Sequence, residues 1–229
     1  MINLGPRLLC AASFIRCRTG IVDIGTDHAY LPAYLILNGK ADFVLACDIG
    51  IMPLKNAENT VSSYGLCDKI GLRVSDGLKE VSSDEAQEIS VCGMGGTLIC
   101  EILGAAPWIK RDGMHLILQP MTHTEDVRKF LCENGFSIEQ ERFVVDNKKV
   151  YCVMSAVYTG NAFCADDGFY HFGFLPPKDE INAQYVMKQL HRIDVKIEAR
   201  RNNEALADEL SSLMKIRAWY EKETQNEGK

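Results

Sequence analysis

The sequence has no uninterrupted apolar run of the roughly 18–20 residues that a membrane-spanning helix needs. Its first 20 residues look like a short signal peptide, but Arg7 interrupts their apolar part and Arg16 and Arg18 follow it. No export-type sequence comes after them, so these residues do not fit a cleaved leader. We therefore expect a cytoplasmic protein without a membrane segment.

Cysteine pairs with the spacing of metal or redox motifs are also missing. The nine cysteines are odd in number, no two have the CxxC spacing, and several lie inside apolar runs. Buried thiols in a reducing compartment explain this pattern better than disulfides or zinc sites do. A catalytic cysteine stays open as an alternative, although no local signature marks one. We expect no bound metal.

An excess of basic residues is absent as well, because the formal net charge is −6 at pH 7. This balance disfavours a protein whose whole surface binds nucleic acid. A local basic patch can still act on a ligand within about one Debye length, ~8–10 Å. Residues 1–22 hold three arginines and no acidic residue, so they are one candidate for such a patch.

Helix and strand patterns alternate along the first two thirds of the chain. We predict strands at 19–25, 42–50, 69–77, 88–96 and 114–120, and helices at 4–15, 29–39, 53–65, 97–105 and 122–135. Two further strand-like runs within 137–158 flank Asp146-Asn147-Lys148, which is a hairpin signal. The pattern predicts an α/β fold with a parallel sheet that ends in an antiparallel hairpin, for a total of seven strands.

The remaining residues predict a smaller helical part. Residues 159–179 are rich in glycine, proline and aromatic side chains, so we place the domain boundary there and expect domains at 1–158 and 159–229. Apolar residues then recur at near-heptad spacing from Glu180 to Asn202 and from Glu204 to about Thr224. With the polar Asn202-Asn203 between them, these stripes predict an antiparallel helical hairpin packed as a short coiled coil.

Four short signatures follow the predicted strands: VDIGTDHAYLP (22–32), ACD (46–48), SDGL (75–78) and VCGMGG (91–96). A dinucleotide-binding fold would carry GxGxxG at the first of them, so that backbone amides can approach a pyrophosphate. This turn instead has one glycine, Gly25, and the carboxylates Asp23 and Asp27. One charge pair about 4 Å apart is worth roughly 4 kcal/mol before desolvation. The turn therefore favours a cation such as S-adenosylmethionine and disfavours NAD.

The other signatures complete a pocket of the class I methyltransferase type. Asp48 can accept hydrogen bonds from a ribose diol, Asp76 can accept the adenine amino proton, and Gly77 leaves room for the ring. The glycines of GMGG leave space where cofactor and substrate meet. Each feature has an ordinary alternative: Asp48 as a helix cap, Asp76-Gly77 as a turn, GMGG as a tight connection and His28 as a hydrogen-bonded structural histidine.

These residues resemble the bacterial tRNA (adenine-22 N1)-methyltransferase family. DIGTDHAYLP, RVSDGL, GMGG, LILQP and VYCVM carry the resemblance, which runs from about Arg7 to Tyr158. It implies a class I, Rossmann-like methyltransferase that uses S-adenosylmethionine and acts on N1 of an adenine in the tRNA D-loop. The chain departs from the family pattern at Asp48, where glutamate is usual, and at Met121, where asparagine is usual. If that asparagine holds the target base, Gln119 or a neighbour takes over its role.

We predict two sets of site residues on this basis. The catalytic candidates are Asp27, which stabilises the cationic product ring or accepts its amino proton, His28 as an alternative, Tyr30 as a stacking platform for the base, and Gln119. The cofactor-binding candidates are Asp23, Gly25, Asp27, Asp48, Asn59, Asp76, Gly77, Gly93, Met94 and Gly95.

For RNA binding we predict a stripe along the first C-terminal helix: Lys188, Arg192, Lys196 and Arg200. A step of four helical residues rises about 6 Å, which is comparable to the spacing of phosphates along a strand. A solvated helix face is the alternative, because neighbouring acidic residues balance the region. Arg7 and Arg16, together with Arg18, form a second candidate patch, which we expect nearer the active face.

Three other functions stay open at this point. The chain could methylate another RNA site or a small molecule, with the hairpin used for dimerisation. It could also be an RNA adaptor that binds the cofactor without turnover. An NAD-dependent oxidoreductase fits least well, because of the two carboxylates in the first turn. No obligate protein partner is evident.

Overall fold

The computed structural model describes residues 2–174, 179–201 and 206–226, with side chains described up to residue 220. It forms two compact units, Met1–Phe163 and Cys164–Lys229. The division lies five residues beyond the predicted boundary between 158 and 159. The predicted Asn202-Asn203 separation of the C-terminal helices falls outside the described residues.

The first unit contains one seven-stranded sheet. Its strands are β1 (Ile21–Ile24), β2 (Val44–Asp48), β3 (Ile70–Val74), β4 (Glu88–Gly95), β5 (His115–Thr122), β6 (Phe136–Asp146) and β7 (Lys149–Tyr158). They lie in the order β3-β2-β1-β4-β5-β7-β6. Neighbours among β1 to β5 pair in parallel, and β7 pairs antiparallel with both β5 and β6. The predicted seven-stranded sheet and its closing hairpin are confirmed.

Five helices cover this sheet: α1 (Pro6–Phe14), α2 (Tyr30–Leu37), α3 (Ile51–Ser63), α4 (Gly96–Gly104) and α5 (Thr124–Glu133), with a 3₁₀ turn at Pro107–Ile109. Every residue of β1 and β2 is buried, as expected for central parallel strands covered on both faces. Pro6 opens α1, where its missing amide hydrogen costs no helical bond. Glu125 and Asp126 lie in the first turn of α5, where negative charge is favourable.

The strand order determines where a ligand can bind. β1 lies between β2 and β4, so the crossovers that leave β1 and β4 go to opposite sides of the sheet. In such sheets a crevice opens at the carboxyl ends of the strands where the order reverses. Ile24 is in register with Cys47 of β2 and with Val91 of β4, so all three strands end at one edge. The loops that carry the first, second and fourth signatures therefore meet there.

The described residues of the second unit form three helices: α6 (Asp167–Phe172), α7 (Glu180–Arg200) and α8 (Ala207–Asn226). The sequence predicted the last two, but it treated 159–179 as a linker and missed α6. Phe172 of α6 is fully buried and its ring stacks on Trp219 of α8, with centroids 6.0 Å apart. At Gly168, an added Cβ would lie 2.1 Å from the Trp219 indole, so glycine permits this close approach. Helix α6 thus completes the core of the unit.

Ion pairs between α7 and α8 give their relative direction. Arg217 pairs with Asp194 at 3.0 Å and Arg200 pairs with Glu209 at 2.7 Å, so the two helices run antiparallel. Val186, Leu190 and Ile193 of α7 share a buried cluster with Ile216 of α8, as the apolar stripes predicted. The coiled-coil form of this packing stays a prediction.

Within the described ranges, no helix combines the length and apolar character needed to cross a bilayer. The same residues contain no group of three or more His, Cys, Asp or Glu side chains that could hold a metal ion.

Candidate active site

The turn after β1 has an unusual backbone. Gly25, Asp27 and Ala29 all have positive φ, of 72°, 50° and 55°. For the two non-glycine residues this conformation costs of order 1–3 kcal/mol each, so surrounding contacts must hold it. The amides of Gly25 and Thr26 both donate to the Cys47 carbonyl of β2, at 2.9 and 3.0 Å. The turn is therefore attached to the neighbouring strand.

A cleft opens beside this turn and brings together six of the predicted catalytic and cofactor-binding residues: Asp23, Gly25, Asp27, His28, Tyr30 and Gly93. Its other lining residues are Arg7, Leu8, Thr26, Leu31 and Cys92. Arg7 is in the RNA-binding prediction, whereas the sequence reasoning singled out neither Thr26 nor the two leucines. The cleft contains both carboxylates that the argument from charge requires.

Asp23 is the buried carboxylate of the cleft. Burial raises its pKa from 3.8 to about 6, although a hydrogen bond from Ser90 Oγ at 2.6 Å opposes the shift. The negative charge of Asp48 raises the pKa further. At neutral pH the side chain is an incompletely solvated anion, which is the kind of group that gains most from a bound cation.

Thr26 supplies a buried hydroxyl beside Asp23. Its Oγ1 makes no hydrogen bond of good geometry, although its interaction with the Asp23 carboxylate lowers the pKa of that group. Because Thr26 lines the cleft, a ligand there can satisfy the hydroxyl. Only its place between Gly25 and Asp27 could have suggested this from the sequence.

Asp48 braces the turn from the end of β2. Its Oδ2 accepts the backbone amide of Asp27 at 3.1 Å and its Oδ1 accepts the amide of Gly50 at 2.9 Å. The residue is not the N-cap of α3, which is Gly50 and has no side-chain cap, so the helix-cap alternative does not apply. A carboxylate accepts about four hydrogen bonds, so Asp48 keeps acceptor capacity for a ribose diol.

Three predicted cofactor residues have other surroundings. Asp76 is exposed and forms an ion pair with Lys79 at 2.5 Å. A Cβ on Gly77 would lie 2.9 Å from Ile102 of α4, so this glycine makes room for protein packing. Asn59 is exposed and lies eight residues after the start of α3, about 12 Å along the helix. It does not line the cleft, so the structure does not bring Asn59 to the site.

The three glycines of the GMGG segment have different surroundings. Gly93 has a φ of 83° and open space where a Cβ would stand, whereas a Cβ on Gly96 would collide with the His123 carbonyl oxygen at 2.2 Å. Gly95 has only an ordinary neighbour, Thr122. The methyl end of Met94 lies directly over Gly25, at the position a Cβ there would occupy. Met94 thus packs the end of β4 against the turn after β1.

His28 and Tyr30 form a stacked pair at the rim. Their ring centroids are 5.1 Å apart, the planes are 8° from parallel, and Tyr30 is 45% exposed. His28 Nε2 lies 3.6 Å from Asp27 Oδ2, and the Asp27 side chain is 63% exposed. A flat aromatic surface therefore lies next to an accessible carboxylate.

Gln119 lies behind the cleft wall. It is fully buried, and its Oε1 accepts hydrogen bonds from Arg7 Nη1 at 2.8 Å and from the Gly93 amide at 3.2 Å. Its Nε2 donates to the Pro120 carbonyl at 3.0 Å. Both ends of the amide are engaged, so the predicted contact with a target base stays a prediction.

The three N-terminal arginines do not form one patch. Helix α1 carries Arg7 at the site edge, but Arg16 follows the helix at the opposite edge, where its backbone amide donates to Glu88 at the start of β4. There Arg16 pairs with Glu139, and Arg18 pairs with Asp42, each at 2.5 Å. The expected second patch near the active face is therefore wrong for Arg16 and Arg18.

The predicted basic stripe lies along α7 with its four side chains half-buried. Arg192 donates to Gln189 at 2.9 Å and Arg200 pairs with Glu209 at 2.7 Å. Arg200 is thus partly neutralised, and a role of Lys188, Arg192, Lys196 and Arg200 in RNA binding stays a prediction.

The catalytic-cysteine alternative finds no support at the cleft. All nine cysteines carry free thiols. At Cys92, which lines the cleft, desolvation raises the pKa of the thiol far above its ordinary value and the Asp23 charge adds to the effect. A neutral thiol is a weak nucleophile.

A family model described as a methyltransferase domain matches residues 4–154. The tRNA (adenine(22)-N(1))-methyltransferase of Bacillus subtilis (strain 168) is 36% identical over 167 residues, which cover 73% of this chain and 70% of the relative. The range that the family model matches, 4–154, includes every residue that lines the cleft.

Solved structures extend the similarity to nearly the whole chain. The crystal structure of the B. subtilis M1A22 tRNA methyltransferase TrmK is 28% identical, has a TM-score of 0.82 and covers 95% of this chain and 100% of its own. M. capricolum TrmK, solved with its cofactor product S-adenosyl-homocysteine, is 26% identical with a TM-score of 0.78 and covers 94% of this chain and 97% of its own.

Proposed function

Because the chain belongs to the tRNA (adenine(22)-N(1))-methyltransferase family, we propose that it transfers a methyl group from S-adenosylmethionine to N1 of adenine 22 in tRNA. One structural observation carries this proposal beyond family membership. Two carboxylates, Asp23 and Asp27, line the cleft at the point where the strand order reverses. A site for a diphosphate would offer amides and cations to the ligand, whereas Arg7 of this cleft already pairs with Asp146.

The side chains in the cleft fit the S-adenosyl cofactor. The buried Thr26 hydroxyl makes no hydrogen bond of good geometry and can bond to a polar ligand, and the desolvated Asp23 carboxylate gains from a cation. Asp48 has acceptor capacity left for the ribose hydroxyls, and the open space at Gly93 leaves room beside the β4 loop. When bound, the cofactor supplies a methyl group on a positively charged sulfur, and no metal is needed.

The protein's part in the reaction is positioning and charge stabilisation. Adenine N1 has a free lone pair at neutral pH, so no general base is needed to create the nucleophile. Alignment of the reacting atoms can contribute up to ~7–11 kcal/mol to the rate acceleration. Asp27 stabilises the positive charge that the ring acquires or accepts the proton from its amino group, and His28 is the second candidate for that role.

Access to N1 requires the adenine to leave its stack, which costs a few kcal/mol. The exposed Tyr30 ring, held parallel to His28, offers a surface on which the base can stack again. Stacking of a base on an aromatic side chain returns about 1–3 kcal/mol. The α7 stripe of Lys188, Arg192, Lys196 and Arg200 is our candidate for contacts with tRNA phosphates. A tRNA substrate also accords with action in the cytoplasm.

Incubation with methyl-labelled S-adenosylmethionine and unmodified tRNA tests the function directly. The modified tRNA is digested and the labelled nucleoside is identified and mapped. We expect 1-methyladenosine at position 22 and no label in a transcript that carries guanine there. Label at another position, or binding of the cofactor without any transfer, would refute the proposal.

A further inference from the structure

Arg7 joins four elements at the edge of the cleft. Its Nε donates to Asp146 Oδ2 of β6 at 2.8 Å, and its Nη1 donates to Gln119 Oε1 of β5 at 2.8 Å. The guanidinium also lies 5.1 Å from the centre of the Tyr151 ring of β7. Since Arg7 itself belongs to α1, this one side chain ties the N-terminal helix to the carboxyl end of β5 and to the closing hairpin.

These contacts keep the guanidinium within the protein. The Arg7 side chain is 23% exposed and that of Asp146 only 13%, so the pair is well shielded from solvent. Nη1 also lies 3.1 Å from the sulfur of Met121, the residue at which this chain departs from the family pattern. To reach an RNA phosphate, Arg7 would have to leave a half-buried carboxylate, and breaking such a shielded pair costs stability.

Gln119 connects Arg7 to the cleft. Its Oε1 accepts hydrogen bonds from Arg7 Nη1 and from the backbone amide of Gly93. Arg7 therefore fixes the position of the oxygen that holds the Gly93 backbone. Gly93 has a positive φ, lines the cleft and has no side chain of its own to anchor it. Without Arg7, one acceptor position of a buried amide loses its donor and the rotamer of Gln119 is less constrained.

We propose that Arg7 is a positioning residue, which holds Gln119 so that the Gly93 turn keeps the shape the S-adenosyl cofactor requires. This inference rests on the proposed function, because it assigns the cofactor to that wall of the cleft. It moves Arg7 from the predicted RNA-binding set to the cofactor site.

Binding of S-adenosylhomocysteine, measured by calorimetry, tests this role without any tRNA. We expect Arg7→Met and Gln119→Met each to raise the Kd about tenfold, and the double variant to be no worse than Gln119→Met alone. Gln119→Glu keeps an acceptor for both donors but places a second oxygen against the Pro120 carbonyl, so its affinity should fall between those of Gln119→Met and wild type. In turnover, Arg7→Met should raise KM for S-adenosylmethionine and leave KM for tRNA within about twofold.

Arg142→Met is the matched control. Arg142 of β6 also packs against α1, with its guanidinium 5.0 Å from the Phe14 ring centre, but it is exposed and contacts Ser13 rather than Gln119. We expect the control to keep its cofactor affinity and to lose less thermal stability than Arg7→Met, because Arg142 is exposed. If Arg7→Met folds poorly, Arg7→Lys serves instead, because lysine can keep the Asp146 pair while it loses the contact with Gln119.

Two results would overturn the inference. One is unchanged S-adenosylhomocysteine affinity in the Arg7 variants, with weaker and less salt-dependent tRNA binding, which would make Arg7 a phosphate contact. The other is additive effects in the double variant, which would show that Arg7 does not act through Gln119. Failure of the proposed function is distinguishable, because wild-type protein would then bind the cofactor product and transfer no methyl group to tRNA.

Discussion

Oδ2 of Asp48 accepts the backbone amide of Asp27 at 3.1 Å, so the carboxylate at the end of β2 holds the strained residue of the β1 turn. The backbone amide of Asp27 thus donates to Asp48, while the side-chain carboxylate of Asp27 is largely exposed to solvent. An anionic site is thereby held in place by another anion, which leaves the cleft with an excess of negative charge. This arrangement explains why a cationic ligand is favoured.

Asp27→Asn should lower kcat/KM for methyl transfer while it changes the free energy of unfolding little. Since the side chain is solvent-exposed, we expect a loss of about fivefold in kcat/KM, from roughly 1 kcal/mol of screened charge interaction. Steady-state kinetics with S-adenosylmethionine and tRNA provide the measurement. Asp68→Asn, at an exposed position near the opposite edge of the sheet, is the matched control. Normal turnover and normal cofactor binding in Asp27→Asn would show that its charge has no role.

Asp23 makes the cofactor-free protein less stable as the pH rises. Its pKa of about 6 lies above the unfolded value of 3.8, so between these values the folded state binds more protons and stability falls with increasing pH. The loss is about 3 kcal/mol once the group is ionised. Asp23→Asn should therefore be more stable than wild type at pH 8, and the difference should shrink towards pH 5.

Urea denaturation of the cofactor-free protein at pH 5 and pH 8 checks this prediction. Cofactor affinity should change in the other direction, because the cation needs the ionised carboxylate and its binding weakens as pH falls through about 6. A pH-independent stability difference between Asp23→Asn and wild type would contradict the assignment of Asp23 as the desolvated anion.

Tyr30→Ala should lower kcat/KM for tRNA by about 5-fold to 150-fold, because the loss of one stacking surface is worth about 1–3 kcal/mol. Tyr30→Phe keeps the ring and should stay close to wild type. Tyr64→Ala removes a ring of similar exposure from the end of α3 and serves as the control. Equal activity of Tyr30→Ala and the control would mean that the base stacks elsewhere.

Replacement of Lys188, Arg192 and Lys196 by alanine should weaken tRNA binding and flatten its dependence on salt. Each lost phosphate contact lowers the slope of log K against log salt by about 0.7–0.9. Filter binding at several salt concentrations gives the slope. Removal of the exposed Lys40, Lys55 and Lys69 in the first unit controls for net charge. A slope unchanged from wild type would remove α7 from the RNA-binding surface.

Local signals in the sequence were sufficient to predict the strands of the sheet and their order along the chain. The hairpin signal at Asp146-Asn147-Lys148 corresponds to a turn in which Asn147 and Lys148 both have positive φ, as a tight hairpin requires. The residues that end β1, β2 and β4 were also placed correctly. Parallel strands bring their carboxyl ends together, so their order along the chain is enough to assemble the cleft.

Features that depend on contacts between distant residues were not predictable. The composition of 159–179 favoured a linker, yet Gly168 packs against Trp219, some 50 residues later. Gly77 lies against Ile102 and not against open space. Arg7 and Arg16 are near each other in sequence, but α1 has 9 residues and separates them by about 14 Å along its axis. Distance along a helix decides which edge of the sheet each arginine reaches.

Calorimetric titration of the wild-type protein with S-adenosylmethionine and, separately, with NAD tests the central claim most directly. The acidic β1 turn predicts saturable binding of the sulfonium compound and no detectable binding of the dinucleotide. Tight binding of NAD, with no heat from S-adenosylmethionine, would contradict the account.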